Sequence, residues 1–323
     1  MRRTLMIAPL IVAAVLGLEA FGNDHTASGS ASSAAAHFPL TITNCGRKVT
    51  FKKRPKRVLT IGPEAPTLLA AAGAANKIVA RNFEFGSPLG QYAKQLKKVK
   101  QLSPDKELSK EEILAQNPDL VMEAALSIPI PDLNTAGINV IVTPGRCKPR
   151  TSQSFPGIFS AIKLYGRLFG TEKAANTAVT GLHKRVRAVQ NRFKKKSAGK
   201  TAAALIFSTA GPVGSYGKLG TVHNQIGALG LRNVFADQRK AFFEVNSEAL
   251  LKSDPDVLIL LSQKRGETKA QIKSKLLSRP ELRELKAIKN NRIIVLFYSE
   301  TAGSPVAVEG LETMAKQLAV FLR

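Results

Sequence analysis

The chain has 323 residues, 44% hydrophobic and only 6% aromatic, with 48 Lys and Arg against 23 Asp and Glu, a formal net charge of +25. That length and apolar content supply one large core or two ordinary ones, and they exclude a disordered chain. So basic a molecule attracts acidic ligands or surfaces. Its cations, however, are spread over 94–100, 184–200 and 264–275 without interleaved aromatic residues. That distribution argues against nucleic acid and for solvation or attraction to an anionic envelope.

Residues 1–20 open with Arg2-Arg3 and continue as an apolar run over 5–18 that is too short to cross a bilayer comfortably. This is the pattern of an export signal. Residues 22–36, GNDHTASGSASSAAA, form a small-residue tether with nothing to bury. Leu18-Glu19-Ala20 has the shape of a lipobox, but Phe21 stands where a lipid-accepting cysteine is required. The expectation is an exported protein, secreted or held at the outer face of the cytoplasmic membrane, its leader cleaved or kept as an anchor. Outside the cytoplasm an isolated cysteine pair forms a bridge more often than a metal site or a nucleophile. Cys45 and Cys147 are therefore expected to pair, two buried free thiols being the alternative.

From residue 38 to 57 apolar and polar residues alternate on either side of Asn44-Cys45-Gly46, a hairpin pattern. A basic collar, KKRPKR, leads to a short buried-strand run at 58–61. An alanine-rich helix over 62–75 ends at Gly73, a strand follows at 77–82, and 98–102 is a candidate for a third. Next comes LSKEEILAQNPDLVM at 108–122, which the chain writes again as NSEALLKSDPDVLI at 246–259. In each copy a polar cap, Ser109 or Asn246, stands two positions before a glutamate, Glu111 or Glu248. Seven positions later Pro118-Asp119 or Pro255-Asp256 runs into an apolar strand. Both copies predict a cap, a short helix, a tight turn and a parallel strand. A helix-start carboxylate alone contributes a few tenths of a kcal/mol up to ~1. Its recurrence in matching places suggests a two-point docking contact.

A strand at 139–142 precedes Cys147. Residues 154–169 read as one helix, and 171 onward as a longer one in which Ala175, Ala178, Leu182, Val186, Val189 and Phe193 recur at helical spacing. Some 25 residues would span ~37 Å, enough for a rigid strut between two lobes. Strand and helix alternate again: a strand at 203–207, a glycine-rich turn GPVGSYGKLG, a helix at 222–229, the second motif copy, a strand at 292–297 and a closing helix at 306–322. Alternation of this kind gives parallel βαβ units. The expected fold class is α/β: two Rossmann-like lobes with parallel sheets joined by a long linker helix. The divisions are 1–37 as signal and tether, 38–153 as the N-terminal lobe, 154–196 as the linker and 197–323 as the C-terminal lobe.

In open parallel sheets ligands gather beyond the carboxyl ends of the strands. The segments there are 62–67, 81–85, 123–126, 208–218 and 298–302. With Phe242 they supply Phe83, Phe85, Tyr216 and Tyr298 and the cations Arg81 and Lys218, a set suited to a bulky, partly anionic chelate. Each aromatic taken singly is as well explained by core packing. Direct metal capture needs several converging His and carboxylate ligands, and only His183 and His223 lie in the folded part. His183 falls on the strut helix in a solvated position; His223 lies beside a pocket segment. Tyr216, Tyr298 or His223 could in principle ligate haem iron. Catalysis finds no support, since GSYGKLG is neither a phosphate loop nor a dinucleotide fingerprint and no GxSxG elbow exists.

The segments TNCG, RKVTF, PKRVLTI, EILAQNPDLVM, SEALLKSDPDVLIL and LKAIKNNRIIVL carry a family likeness. From about residue 38 to its end the chain resembles the helix-linked (class III) substrate-binding proteins of ABC importers for ferric siderophores, haem and vitamin B12. The cysteines in TNCG and TPGRC most resemble a ferric-siderophore branch from Gram-positive-type cells. The resemblance implies an iron(III)-siderophore as ligand, or else cobalamin or haem, and no enzymatic activity. It further implies that Glu111 and Glu248 meet arginines of a permease dimer, with the binding protein itself a monomer. Two positions depart from the pattern: Thr67 stands where a further glutamate is common, with Glu64 nearby, and Phe242 stands where tryptophan is usual. Phe21 and Thr67, with the high charge, leave a non-transport envelope adhesion or scaffold protein as the rival.

Overall fold

Two larger β-sheets, laid down by short apolar strands, and a two-stranded hairpin organise the described residues. The computed structural model describes residues 37–123, 128–207, 212–264 and 266–322. The leader, the tether and Phe21 lie outside the described residues, as do 124–126 and 208–211 of the expected pocket segments. Strands β1 (Leu40–Asn44) and β2 (Arg47–Phe51) pair antiparallel around Cys45-Gly46. Both turn residues have positive φ, 52° and 74°, the mirror-image turn that suits a two-residue hairpin. Next, β3 (Val58–Ile61), β4 (Ile78–Asn82), β5 (Leu120–Glu123) and β6 (Asn139–Val142) form a sheet of order β4-β3-β5-β6, parallel throughout. The expected strand at 98–102 is reduced to a single bridge between Gln101 and Arg81, which covers the β4 edge.

The C-terminal sheet contains β7 (Thr201–Phe207), β8 (Val213–Ser215), β9 (Arg232–Asn233), β10 (Phe243–Val245), β11 (Val257–Ser262) and β12 (Ile293–Phe297). Its order is β10-β8-β7-β11-β12 with β9 beside the start of β7. Strands β9, β7, β11 and β12 are parallel, but β8 and β10 run antiparallel. The sheet is thus mixed where a parallel one was expected. The glycine-rich stretch taken for a turn hides β8, because Gly214 leaves room for the Phe242 ring, which a Cβ there would strike. Strands of three residues carry too little alternation to be seen in sequence.

Period-two alternation decides which face of each strand meets which layer. In the N-terminal sheet Leu59, Ile61, Val121 and Val140 pack outward with Ile113 and Leu133. Val58, Leu120, Met122 and Ile141 turn the other way, into a core that also holds Ala204, Ile259, Ile294 and Leu296 of the C-terminal sheet. Helices fill the space between: Glu64–Ala71, Phe155–Phe169, Glu172–Phe193 and Val306–Phe321 contribute Leu68, Ile158, Leu168, Leu182, Phe193, Leu311 and Met314. The first long helix starts on Ser154, whose Oγ accepts from Gly157 N–H (3.2 Å), and stops at left-handed Gly170 (φ 69°). Thr171, the N-cap residue of the second, makes no side-chain cap bond and donates its Oγ–H to the Ala72 carbonyl (2.6 Å). The long helix is therefore packed along its length, and both sheets share one helical layer. Among the described residues no helix is long and apolar enough to cross a membrane.

Cys45 and Cys147 are joined, with Cα atoms 5.2 Å apart. Beside the bridge, the Asn44 side-chain amide donates to the Val142 carbonyl (2.9 Å) and accepts from Val142 N–H (2.8 Å). The hairpin is thereby fastened twice to the open edge of β6, which would otherwise expose unpaired backbone groups.

Candidate functional site

The two copies of the repeated motif fold alike. Helix Lys110–Ala115 is capped by Ser109, which accepts from Glu112 N–H (3.2 Å) while the Glu112 carboxylate accepts from Ser109 N–H (2.7 Å). Helix Ser247–Ser253 is capped by Asn246 Oδ1, which accepts from Ala249 N–H (2.8 Å). Ile113 and Leu250 are the buried anchors. Asn117 and Asp254 both take left-handed backbone, φ 48° and 34°, to end the helix. The following aspartate then grips the strand next door. Asp119 accepts from Lys56 and Arg57 N–H (2.8 and 3.0 Å) just before β3. Asp256 accepts from Thr201 N–H (2.8 Å) and Oγ–H (3.0 Å) at the start of β7. Glu111 and Glu248 are left exposed at the second helical position, one on the helix before β5 and one on the helix before β11.

Beyond the carboxyl ends of both sheets lies a cleft made of two cavities, about 210 and 390 Å³, that share Arg146 and Tyr298. This is the size range of small-molecule sites. Phe83 and Phe85, after β4, and Gly62-Pro63, after β3, line the larger; Tyr216, Phe242, Arg150 and Gln153 line the smaller. The Phe83 and Phe85 rings meet edge to face at 4.3 Å, and those of Tyr216 and Phe242 at 5.5 Å. Phe85 and Phe242 remain 41% and 48% exposed, so both have apolar surface free for a ligand. Phe83 and Phe85 adopt φ of 59° and 52°, a region that costs a bulky side chain about 1–3 kcal/mol. The loop holds that conformation because the residue between them, Glu84, turns inward and pairs with Arg81 at 2.6 Å. Burial pushes the Glu84 carboxyl up, against the pull of Arg81.

Five of the seven residues singled out for the ligand, Phe83, Phe85, Tyr216, Phe242 and Tyr298, thus surround one cleft. The other two do not line it. Arg81 is buried and spent on Glu84, so it braces the aromatic loop from behind. Lys218 is exposed to one side, its backbone N–H bonded to the Gln238 carbonyl. His183 lies exposed on its helix with its ring 4.4 Å from Phe159. His223 is half-buried outside the lining, its imidazole held below the usual range by burial and by Lys218. The sequence reading missed Arg146, Arg150, Gln153 and Gln263. Arg146 is central: its Nε donates to Glu64 Oε1 at 3.0 Å and its Nη2 to the same oxygen. The Glu64 carboxylate raises the Arg146 pKa still further, so the guanidinium is permanently charged. Burial pushes the Tyr216 hydroxyl up to about 12 and raises that of Tyr298, so both face the cleft as neutral phenols. The arrangement offers aromatic walls, one oriented cation and neutral hydroxyls. Among the described residues no group of three or more His, Cys, Asp and Glu could hold a metal ion.

Comparison with known proteins gives the family of the chain. Residues 58–297 match the periplasmic binding protein family. The chain is 26% identical over 321 residues to an uncharacterized ABC transporter substrate-binding lipoprotein, YvrC, of Bacillus subtilis (strain 168), covering 96% of this chain and 95% of that one. It is 26% identical to the vitamin B12-binding protein of Pectobacterium atrosepticum, over 67% of this chain and 76% of the relative. Among solved structures, one titled an ABC-type Fe3+-hydroxamate transport system from Saccharomonospora viridis superposes with a TM-score of 0.77 at 31% identity, covering 87% of this chain and 99% of that one. The haem-binding protein RhuT of Roseiflexus sp. RS-1 shares the fold, with a TM-score of 0.68 at 18% identity over 83% of this chain and 99% of that one. The chain belongs to the periplasmic binding protein family, in the helix-linked branch of ABC-transporter substrate-binding proteins, and is a solute-binding protein, not an enzyme.

Proposed function

We propose that the protein is exported, captures a ferric siderophore in the cleft between its N- and C-terminal lobes, and delivers it as a monomer to an ABC permease dimer through Glu111 and Glu248. The observation that carries this reading is the ring of Phe83, Phe85, Tyr216, Phe242 and Tyr298 around the Arg146 guanidinium. Aromatic walls bury a large organic chelator, and a charged fork donates to its anionic oxygens. A siderophore already saturates its iron, so the cleft needs no metal ligands of its own, in keeping with neutral Tyr216 and Tyr298. The 31% identical structure is that of an ABC-type Fe3+-hydroxamate transport system, which favours a hydroxamate ligand.

The chain has no tryptophan and four tyrosines, two of which line the cleft. Tyrosine emission therefore reports directly on occupancy. Titration with ferrioxamine B or ferrichrome should quench it and raise the melting temperature. Binding of cyanocobalamin or haemin instead would reassign the ligand within the branch. No small-molecule binding, with salt-sensitive retention on anionic polymers, would sink the transport reading and favour the envelope scaffold.

A further inference from the structure

We infer that Glu64, which no ligand can touch, is the positioning residue of the cleft: it fixes the Arg146 guanidinium at the junction of the two cavities, and the ligand is bound through that orientation. The inference rests on the reading of the cleft as a chelate site.

Glu64 begins the helix that follows β3, and its side chain is fully buried, whereas that of Arg146 is 24% exposed. Arg146 comes from the loop after β6, two strands away, since β5 lies between β3 and β6. The pair thus bridges the carboxyl end of β5. Glu64 Oε1 takes both Nε and Nη2 of Arg146, while Oε2 has no hydrogen-bond partner among the described residues. One edge of the planar fork is committed inward, and the side chain, 24% exposed, still lines both cavities. A guanidinium held along one edge cannot swing about its long stem, so the ordering of a flexible cation is complete before the ligand arrives.

Stability alone does not account for the pair. Burying a carboxylate costs desolvation that its ion pair often fails to recover, and apolar replacements of such pairs are often neutral or stabilising. A buried carboxylate with one orphaned oxygen is a poor brace but a good aiming device, because it sets direction as well as proximity. Among the described residues, its partner is the one residue besides Tyr298 that lines both cavities.

The test is a double-mutant cycle read by tyrosine quenching with whichever of ferrioxamine B, ferrichrome, haemin or cyanocobalamin binds the unaltered protein most tightly. Glu64→Ala should weaken binding about tenfold or more, and Glu64→Gln, which keeps one acceptor in place, should weaken it less. Arg146→Ala should weaken binding at least as much. In the Arg146→Ala background the Glu64 substitution should have no further effect, because nothing remains to aim. Unchanged affinity in Glu64→Ala overturns the inference. So does an equal loss with and without Arg146, which would make Glu64 a structural residue only. If Glu64→Ala does not fold, the Glu64→Gln cycle decides by the same criteria. If none of the four probes binds the unaltered protein, the reading of the cleft fails and the inference falls with it; binding with an unperturbed cycle sinks the inference alone.

Discussion

Glu111 and Glu248 occupy the same helical position in two motifs of one design, one leading into each sheet. Among the described residues neither carboxylate has a hydrogen-bond or ion-pair partner. Neighbouring Glu112, by contrast, is consumed by the Ser109 cap and by Lys106 at 3.2 Å. In a chain of net charge +25, two free carboxylates at matching helix starts are suited to cations on a partner. Changing both to alanine should lower folding stability by a few tenths of a kcal/mol up to ~1 at each helix start, and leave chelate affinity unchanged. Uptake by cells carrying the partner permease should fall to background, with each single variant between. Transport by the double variant at the unaltered rate would remove the docking role.

The aspartates that follow do a different job. Asp119 and Asp256 each satisfy backbone N–H groups at the start of the adjacent parallel strand. Hydrogen bonds to a charged acceptor contribute about 1.5–3 kcal/mol, so Asp119→Ala and Asp256→Ala should each destabilise by roughly 2 kcal/mol at neutral pH. Burial alone would raise the Asp256 carboxyl, but the bonds from Thr201 outweigh it and hold the pKa below its ordinary 3.8. The folded state therefore releases this proton more readily than the unfolded chain. The stability it brings is present above pH 3.8 and is lost as pH falls through the lower, folded value. Urea midpoints of Asp256→Ala should converge on those of the unaltered protein in acid; a constant gap down to pH 2 would refute the linkage.

Much of this was legible because it is local. The caps, the Pro-Asp turns and the period-two strands each need only a few consecutive residues, and their repetition located both motif copies. What escaped depends on distance. Arg146 sits between Gly145 and Cys147 in a segment without periodicity, and its partner Glu64 is 82 positions away. Arg81 follows a strand as a pocket cation should, yet left-handed backbone at Phe83 and Phe85 turns Glu84 back onto it. That reversal has no sequence signature, since aromatic residues seldom adopt it. The two short antiparallel strands escaped for want of length.

The Cys45–Cys147 bridge closes a separation of 102 residues and holds the loop that carries Arg146. In the chain-entropy account such a loop stabilises by about 4.7 kcal/mol. Reduction, or Cys45→Ser with Cys147→Ser, should lower the denaturation midpoint accordingly. Chelate affinity should fall too, because only hydrogen bonds from Asn44 and Asn139 and the packing of the hairpin would then hold it to β6, with no covalent tie to the Arg146 loop. Unchanged affinity in a reduced but folded protein would show that the Arg146 loop is held by Glu64 without the bridge.

Glu123 ends β5 beneath the cleft, 5% exposed, with Oε2 lacking a hydrogen-bond partner among the described residues. Burial pushes its carboxyl from 4.5 up to about 7, against the pull of Arg47 and Lys148. Below pH 4.5 the group is protonated folded or unfolded. Between 4.5 and 7 the folded protein keeps a proton that the unfolded chain has lost, so stability declines as pH rises through this window and levels off above 7. Glu123→Gln, a neutral isostere, should remove that decline and make the protein more stable than the unaltered chain at pH 8 while matching it near pH 4. Glu84 and Glu300 are raised in the same direction, so the difference between the two proteins isolates Glu123. Parallel stability profiles for variant and unaltered protein across pH 4–8 would mean that Glu123 titrates normally and that the end of β5 is wetter than its burial indicates.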